Sequence, residues 1–349
     1  MEMSTIKEIA KACNVSIATV SNILNDKPGA SKKTKALVEK AVMELDYTPN
    51  YVAKHLKMKN TRSIGVIAED MTIFSIPDII DGITEHCEEE DYQILLTNLR
   101  LYKKYDDRYY NRDDYYDLVR GEIKKLMSKQ VEGIIYVAAH ERIIKCIPDN
   151  LPIPAVMAYG YTKSNKVPSV VVDEVQGSYQ LVQYLIDNGH QRIGLITGKK
   201  DSLHSQERLK GYQKALFDNQ IFYDVELVLD GDWTRHAGYS NVDELLNKKV
   251  TAIFCMNDIM AGGVYDRLEE LKLEVGKDIS IVGYDNREVS SYYKPPLTTI
   301  KLPLHDIGYR ASEIIIQMLT GINIPKEKET IYTIECEELI RKSVKVNRM

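Results

Sequence analysis

In the stretch SIATVSNIL, Ile17, Ala18, Ser21 and Asn22 are spaced to share one outward face of a short helix, with Ser16 at its start. The chemistry open to them is recognition by contact. The Asn22 amide can hydrogen-bond twice with an adenine edge, while Ile17 and Ala18 can pack on thymine methyl groups. Ser16 joins this major-groove set and, as a hydroxyl at a helix start, also suits a phosphate. Thr5, Thr19, Lys32, Lys33 and Thr34 are the other groups fitted to phosphate oxygens, contacts that position a protein without reading sequence. A second set lies far along the chain. Asp70, Asn257, Asp258 and Asp285 each follow an apolar run, and Arg208 and Trp233 stand in the segments between such runs. Nothing comparable points to bond breaking. No P-loop, GxGxxG, GxSxG or HExxH pattern occurs. His55, His86, His140, His190, His204, His236 and His305 show no nucleophile or metal spacing, although His204 and His236 fall near the second set. The expectation is a protein that is not an enzyme and uses neither metal nor cofactor.

The elements that would hold the first set are legible from their caps. Thr5-Ile6-Lys7-Glu8 is a capping box, and Ile6, Ile9 and Ala10 follow on one face. Asn14 suits the left-handed residue that ends a helix. Ser16 caps a second helix, Ile17–Leu24, with Val20, Ile23 and Leu24 inward. The two short helices and their tight turn carry helix-turn-helix spacing. A small helical bundle with a polar surface would show the same spacing. Ser31 caps a third helix with an apolar stripe of Leu37, Val38, Ala41, Val42 and Leu45. After a Pro-Asn break, Asn50 caps Tyr51–Lys57, an eight-residue pattern too short to persist alone in water and so suited to an order–disorder element. Charge agrees with a nucleic-acid partner. Residues 1–60 hold ten lysines and no arginine against six acidic residues, a charge of +4, and the chain total of −5 leaves −9 for the remainder. A solvated helix face gives the same balance.

At 349 residues the chain is long enough for two or three folding units. From Ile64 onward, short apolar runs alternate with helical patterns: 64–69, 92–97, 133–138, 154–159, 169–173, 192–197, 252–256 and 280–285. Such alternation implies doubly wound parallel sheets covered on both faces, whose ligands bind beyond the carboxyl ends of the strands. Cys13, Cys87, Cys146, Cys255 and Cys336 are scattered and odd in number, which fits buried thiols in a reducing compartment. No apolar run is long enough to span a membrane, and the start of the chain lacks an apolar signal core, so a cytoplasmic protein is expected.

The segments IKEIAKACNVSIATVSNILN, ASKKTKALVEKAVMELDYTPN and YVAKHLK resemble the DNA-binding head of the lactose-repressor/galactose-repressor (LacI/GalR) family. Downstream, NGHQRIGLITG, SQERLKGY, GDWTRHAGY, AIFCMND, DISIVGYDN and PPLTTIKLPLHDIG resemble the effector-binding core of the same family, which is similar to periplasmic sugar-binding proteins. The resemblance implies residues 1–48 as the helix-turn-helix domain, 49–60 as hinge helix and linker, and 61–349 as a core of two doubly wound subdomains. It implies that paired hinge helices lie in the minor groove, with Ala53 and Lys57 in contact and Leu56 wedged between base pairs. It further implies an effector site between the subdomains, with Arg208 as clamp, Asp285 accepting from sugar hydroxyls, Asn257 as a polar contact and Trp233 as a platform for an apolar ring face. Asp70 joins the effector set from its place just past a strand end. Each has a structural alternative: an ion pair for Arg208, a core position for Trp233, and a helix cap for Asp258. The chain departs from the family's pattern at Asn14, often Gly, and at Asn22, more often Arg or His. Because of the second departure, the family's usual operator is not carried over to this chain.

The function implied is a ligand-responsive transcription regulator, a repressor of carbohydrate-utilisation genes, binding a pseudo-palindromic duplex as a homodimer. No apolar heptad tail follows ELIRKSV to make a tetramer. A same-fold regulator answering a phosphoprotein partner, and a plain solute-binding module, are the alternatives. One segment stands outside the template. RLYKKYDDRYYNRDDYYDLVR (100–120) carries six tyrosines among charges, after the second strand and on the cleft side. It either lids or extends the effector site, touches a partner, or packs its tyrosines on the sheet.

Overall fold

The computed structural model describes residues 5–24, 28–47, 61–148, 150–164, 166–322 and 330–347. It divides into two compact units, Met1–Thr61 and Arg62–Met349. Residues 49–60, and with them Ala53, Leu56 and Lys57, lie outside the described residues.

Among the described residues of the first unit, three helices form: Ile6–Ala12, Ile17–Leu24 and Lys32–Glu44. Their ends follow from local chemistry. The Glu8 carboxylate accepts from the Thr5 backbone N–H at 2.6 Å. Asn14, at φ 49°, leaves the first helix left-handed, and Asn14 and Val15 N–H groups return to the Lys11 and Ala10 carbonyls at 3.3 and 3.0 Å. The Ser16 hydroxyl accepts from Thr19 N–H at 3.0 Å, and Ser31 from Thr34 N–H at 3.1 Å. Ile9, Ala10, Cys13, Val20, Ile23, Val38 and Ala41 make the core. Leu37, expected in that core, is instead 48% exposed. The stripe is narrower than the apolar residues available, because three short helices bury only the faces that converge on Ile9 and Val20.

The second unit holds two parallel sheets. The strands are β1 Ser63–Ala68, β2 Gln93–Asn98, β3 Gly133–Val137, β4 Ala155–Ala158, β5 Ser169–Val172, β6 Ile193–Ile196, β7 Val228–Leu229, β8 Ala252–Cys255, β9 Ser280–Val282, β10 Thr299–Lys301, β11 Ile331–Ile334 and β12 Glu337–Leu339. The first lobe is a six-stranded sheet ordered β11-β5-β4-β3-β1-β2, the second a four-stranded sheet ordered β7-β6-β8-β9, and β10 pairs with β12 in an antiparallel ribbon. Every pairing within the two large sheets is parallel, with registers such as Ile64↔Ile94 and Leu195↔Phe254. Strands β3, β4, β5, β6 and β8 are buried throughout, as continuous apolar runs between helical layers must be. All eight expected strands form. The run at 280–285 stops at Val282, since Asp285 takes φ 98°. Strands β7, β10, β11 and β12 were not expected; they are two to four residues long and carry no periodic signal.

The chain leaves the first lobe after β5, builds the second, and returns through the helix Leu304–Thr320, which packs on Ser75–Glu89. That crossing is backbone-close. A Cβ on Gly82 would stand 2.0 Å from the His305 carbonyl oxygen. The carboxyl ends of both sheets therefore border one cleft, the position such sheets reserve for ligands.

Candidate functional site

The cleft holds a cavity of about 740 Å³, bordered by Phe74, His140, Tyr159, Arg208, Trp233, Asn257 and Asp285 among others. Its floor is an ionic network. Arg208, in the second turn of the helix Leu203–Asp218, is 2% exposed. Its Nε and Nη2 donate to the two carboxylate oxygens of Glu174 at 2.7 and 2.9 Å. Nη2 also lies 3.2 Å from Asp285 Oδ1, and Nη1 donates to the Met256 carbonyl. The guanidinium covers the Tyr284 ring at 3.8 Å and faces Trp233 at 5.7 Å. With four of five N–H donors committed, Arg208 both borders the cavity and anchors a buried ion pair. The ion pair named as the structural alternative for Arg208 is therefore formed, by a residue that also borders the cavity.

His204, one turn earlier, shows the network's protonation. Its Nδ1 is 2.6 Å from Glu174 Oε1, and its Nε2 accepts from the Glu141 backbone N–H at 3.3 Å. An imidazole that donates from one nitrogen and accepts at the other is neutral, and burial indeed lowers its pKa against the pull of Glu174. Burial likewise opposes ionisation of Glu174, but Arg208 and His204 outweigh it and hold the carboxyl below the usual range. Burial, helped by the neighbouring Glu174 charge, pushes Glu141 well up, against the opposing pull of the Val172 N–H and of Arg208. Burial pushes Asp285 up to about 6, with Arg208 opposing and Glu174 assisting. Desolvation within the cleft holds His140, half-buried and close to His204 and two arginines, well below 6.5. The donor atoms of Glu141, Glu174 and His204 lie within 4.8 Å of one another, a spacing a metal can use. Here both imidazole nitrogens and the Glu174 oxygens are already bonded within the protein, and a guanidinium sits on the carboxylate, so the trio does not suit a cation.

Trp233 stands at φ 75° in the loop before the short helix Arg235–Ser240. Its carbonyl accepts from Asn257 Nδ2 at 3.1 Å, and its ring fills the space beside Gly198, where a Cβ would come within 2.0 Å of it. Asn257, not Asp258, is the N-cap of the helix Asp258–Glu270, accepting from Met260 N–H at 2.7 Å. Asp258 is spent otherwise: the Thr299 hydroxyl and Arg287 N–H donate to its two oxygens, each at 2.6 Å. Asp70 does not border the cavity. Its carboxylate accepts from the Thr72 N–H and hydroxyl at 3.0 and 2.7 Å and from Lys103 N–H at 3.1 Å, which makes it a loop tie rather than a ligand contact. His236 is exposed and away from the cavity, whereas His204 borders it.

Glu141, Glu174, His140, Ser202 and Tyr110 belong to the site and were not singled out from sequence as contacts. The strand-end criterion that picked Asp70 would have found Glu174, two residues past β5, and His140, three past β3. The Tyr-rich segment splits its duties. Tyr109 and Tyr115 are buried: Tyr109 donates to Glu69 Oε2 at 3.2 Å and Arg142 donates to the Tyr115 hydroxyl at 2.9 Å. Tyr110 stacks on His140, ring centroids 5.0 Å apart, and borders the cavity with Tyr102 and Asn111.

In the first unit Ser16, Ile17, Ala18 and Asn22 are exposed, Ser21 is half-buried, and Thr5, Lys32 and Lys33 are exposed. Thr19 and Thr34 are half-buried and bond the cap hydroxyls of Ser16 and Ser31, each at 2.8 Å. The outward face read from sequence is thus free of the core.

Residues 5–50 match the family model for bacterial regulatory proteins of the lacI family, and residues 182–344 match that for a periplasmic binding protein-like domain. The chain is 31% identical over 347 residues to the HTH-type transcriptional repressor PurR of Vibrio campbellii, covering 98% of this chain and 99% of that protein. It is 32% identical over 349 residues to the repressor of the same name from Pasteurella multocida, with coverage of 98% and 99%. Among solved structures it is similar to the lac repressor dimer bound to operator and the anti-inducer ONPF, at TM-score 0.76, 27% identity and coverage of 98% and 99%. It is also similar to a complex of the transcriptional regulator CelR with cellobiose, at TM-score 0.62, 26% identity and coverage of 97% and 99%.

Proposed function

The chain belongs to the LacI family of bacterial regulatory proteins, and from that premise we propose that it represses carbohydrate-utilisation genes in response to a sugar-like effector. It is a DNA-binding, ligand-responsive regulator and not an enzyme. The observation that carries the effector reading is the joining of Trp233, Asn257 and the Arg208–Asp285 pair around one cavity. An aromatic face, an amide and a fixed carboxylate are the groups that read a ring bearing vicinal hydroxyls. Balanced charge supports a neutral ligand, since Arg208 and Arg142, the buried cations, are already paired with Glu174 and Glu69.

On DNA, Ser16, Ile17, Ala18, Ser21 and Asn22 read the major groove, and Thr5, Thr19, Lys32, Lys33 and Thr34 hold phosphates. Ala53, Leu56 and Lys57 engage the minor groove from the segment 49–60. Two copies bind a pseudo-palindrome as a homodimer, and effector binding in the cleft alters the spacing of the two 49–60 segments. A coupling of about 1–3 kcal/mol is enough to switch operator affinity.

The test is a screen of monosaccharides, disaccharides, sugar phosphates and nucleobases against the full chain. The chain's single tryptophan, Trp233, reports cleft occupancy through its fluorescence. A neutral sugar should bind, and operator titration with and without it then gives the sign of regulation. Binding confined to nucleobases would overturn the sugar reading.

A further inference from the structure

The segment 101–111 is built unevenly. Its root is fixed to the first lobe by buried groups. Leu101 and Tyr109 are fully buried, Leu101 N–H donates to the Glu69 carbonyl, and Lys103 N–H donates to Asp70. Glu69, which receives the Tyr109 hydroxyl, is itself locked by Arg142 and by Tyr136 at 2.7 Å. Its tip reaches the loop after β6 in the second lobe, and there the contacts are exposed and polar. Asp107 pairs with Lys199, at side-chain exposures of 43% and 45%, and Asn111 Nδ2 donates to Asp201 Oδ2 at 3.0 Å. When the lobes part, the weak tip contacts must break and the root must hold.

We propose that residues 101–111 form a strap that is rigid on the first lobe and clipped to the second by Asp107–Lys199 and Asn111–Asp201, so that these two contacts set how often the effector cleft opens. The proposal rests on the cleft being the effector site, but its test needs no effector. Opening can be read at one atom. The Glu141 backbone N–H crosses the cleft to His204 Nε2 and is buried. Its hydrogen exchange therefore tracks the open population. An exposed polar contact of this kind shifts a two-state ratio by roughly two- to five-fold.

In the ligand-free full chain, the double variant D107N/N111A should exchange at Glu141 roughly four-fold or more faster than wild type at low salt. Core amides of β3 should be unchanged. D106N is the control, because the Asp106 carboxylate accepts from Arg108 of the same segment and not from the second lobe. High salt should speed Glu141 exchange in wild type more than in the double variant, since exposed ion pairs are screened. The charge swap D107K/K199D should return exchange towards wild type, which also serves if the double variant loosens the whole lobe. Unchanged exchange in D107N/N111A, or no recovery in the swap, would overturn the strap. Should the sugar screen fail while Glu141 exchange responds, the effector reading falls and the strap stands.

Discussion

Replacing Arg208 by methionine tests whether the site is held together from beneath. The substitution keeps the length of the aliphatic stem and removes every N–H. Glu174, 2% exposed, then loses two charge-assisted hydrogen bonds and keeps only His204, while Asp285 loses its cation 3.2 Å away. Breaking a buried pair from one side leaves an uncompensated charge and costs about 3–5 kcal/mol. For a unit of this size that is roughly a 5–8 °C loss in melting temperature. Thermal unfolding of the full chain, followed by circular dichroism, measures it. The companion variant R208M/E174Q removes the stranded carboxylate. It should regain roughly 2 kcal/mol or more relative to the sum of the two single changes, as contacting partners do in a mutant cycle. Effector binding should be lost in both, since Asp285 is no longer fixed. A melting temperature for R208M within about 2 °C of wild type, or strict additivity in the cycle, would refute the view that Arg208 anchors the floor.

Three other outcomes are expected. Burial sets Asp285 near pH 6, so it is ionised above that value and becomes the better acceptor. Effector affinity should rise with pH from about 5 to 7, by up to about ten-fold per unit below pH 6, and D285N should flatten the profile. Alanine at Gly198 puts a Cβ where the Trp233 ring lies, 2.0 Å away. The ring must turn aside, which a shift in the emission of the single tryptophan should report together with weaker effector binding. The wedge role proposed for Leu56 predicts that Leu56→Ala weakens operator binding roughly ten-fold or more. Binding to unrelated duplex, governed by salt-dependent phosphate contacts, should change little; equal loss on both sequences counts against the wedge.

Some of this protein was written in its local order. The caps at Thr5, Ser16 and Ser31 and the left-handed Asn14 act over three or four residues, so their bonds are implied by the string itself. The buried strands were equally legible, because a parallel strand covered on both faces must be apolar without interruption. Trp233, Asn257, Arg208 and Asp285 could be gathered by the rule that ligands sit past strand ends, together with the family resemblance.

Tertiary structure decided how those residues are used. Glu174 meets Arg208 across 34 positions, and Tyr109 meets Glu69 across 40, and no local spacing encodes either pair. A strand-end carboxylate has several possible partners, and only the folded chain gives Asp70 to Thr72 and Lys103, Asp258 to Thr299, and Asp285 to the cavity. Leu37 kept its apolar side chain but not its place in the core, because burial depends on which helix faces converge. The Tyr-rich run shows the division most clearly. Its sequence marked an unusual segment, while the alternation of buried root and exposed tip arose only when Glu69 and Lys199, from different lobes, came within reach of it. Short-range hydrogen bonding and apolar periodicity are properties of the string. Which charges are left facing the cleft is a property of long-range packing.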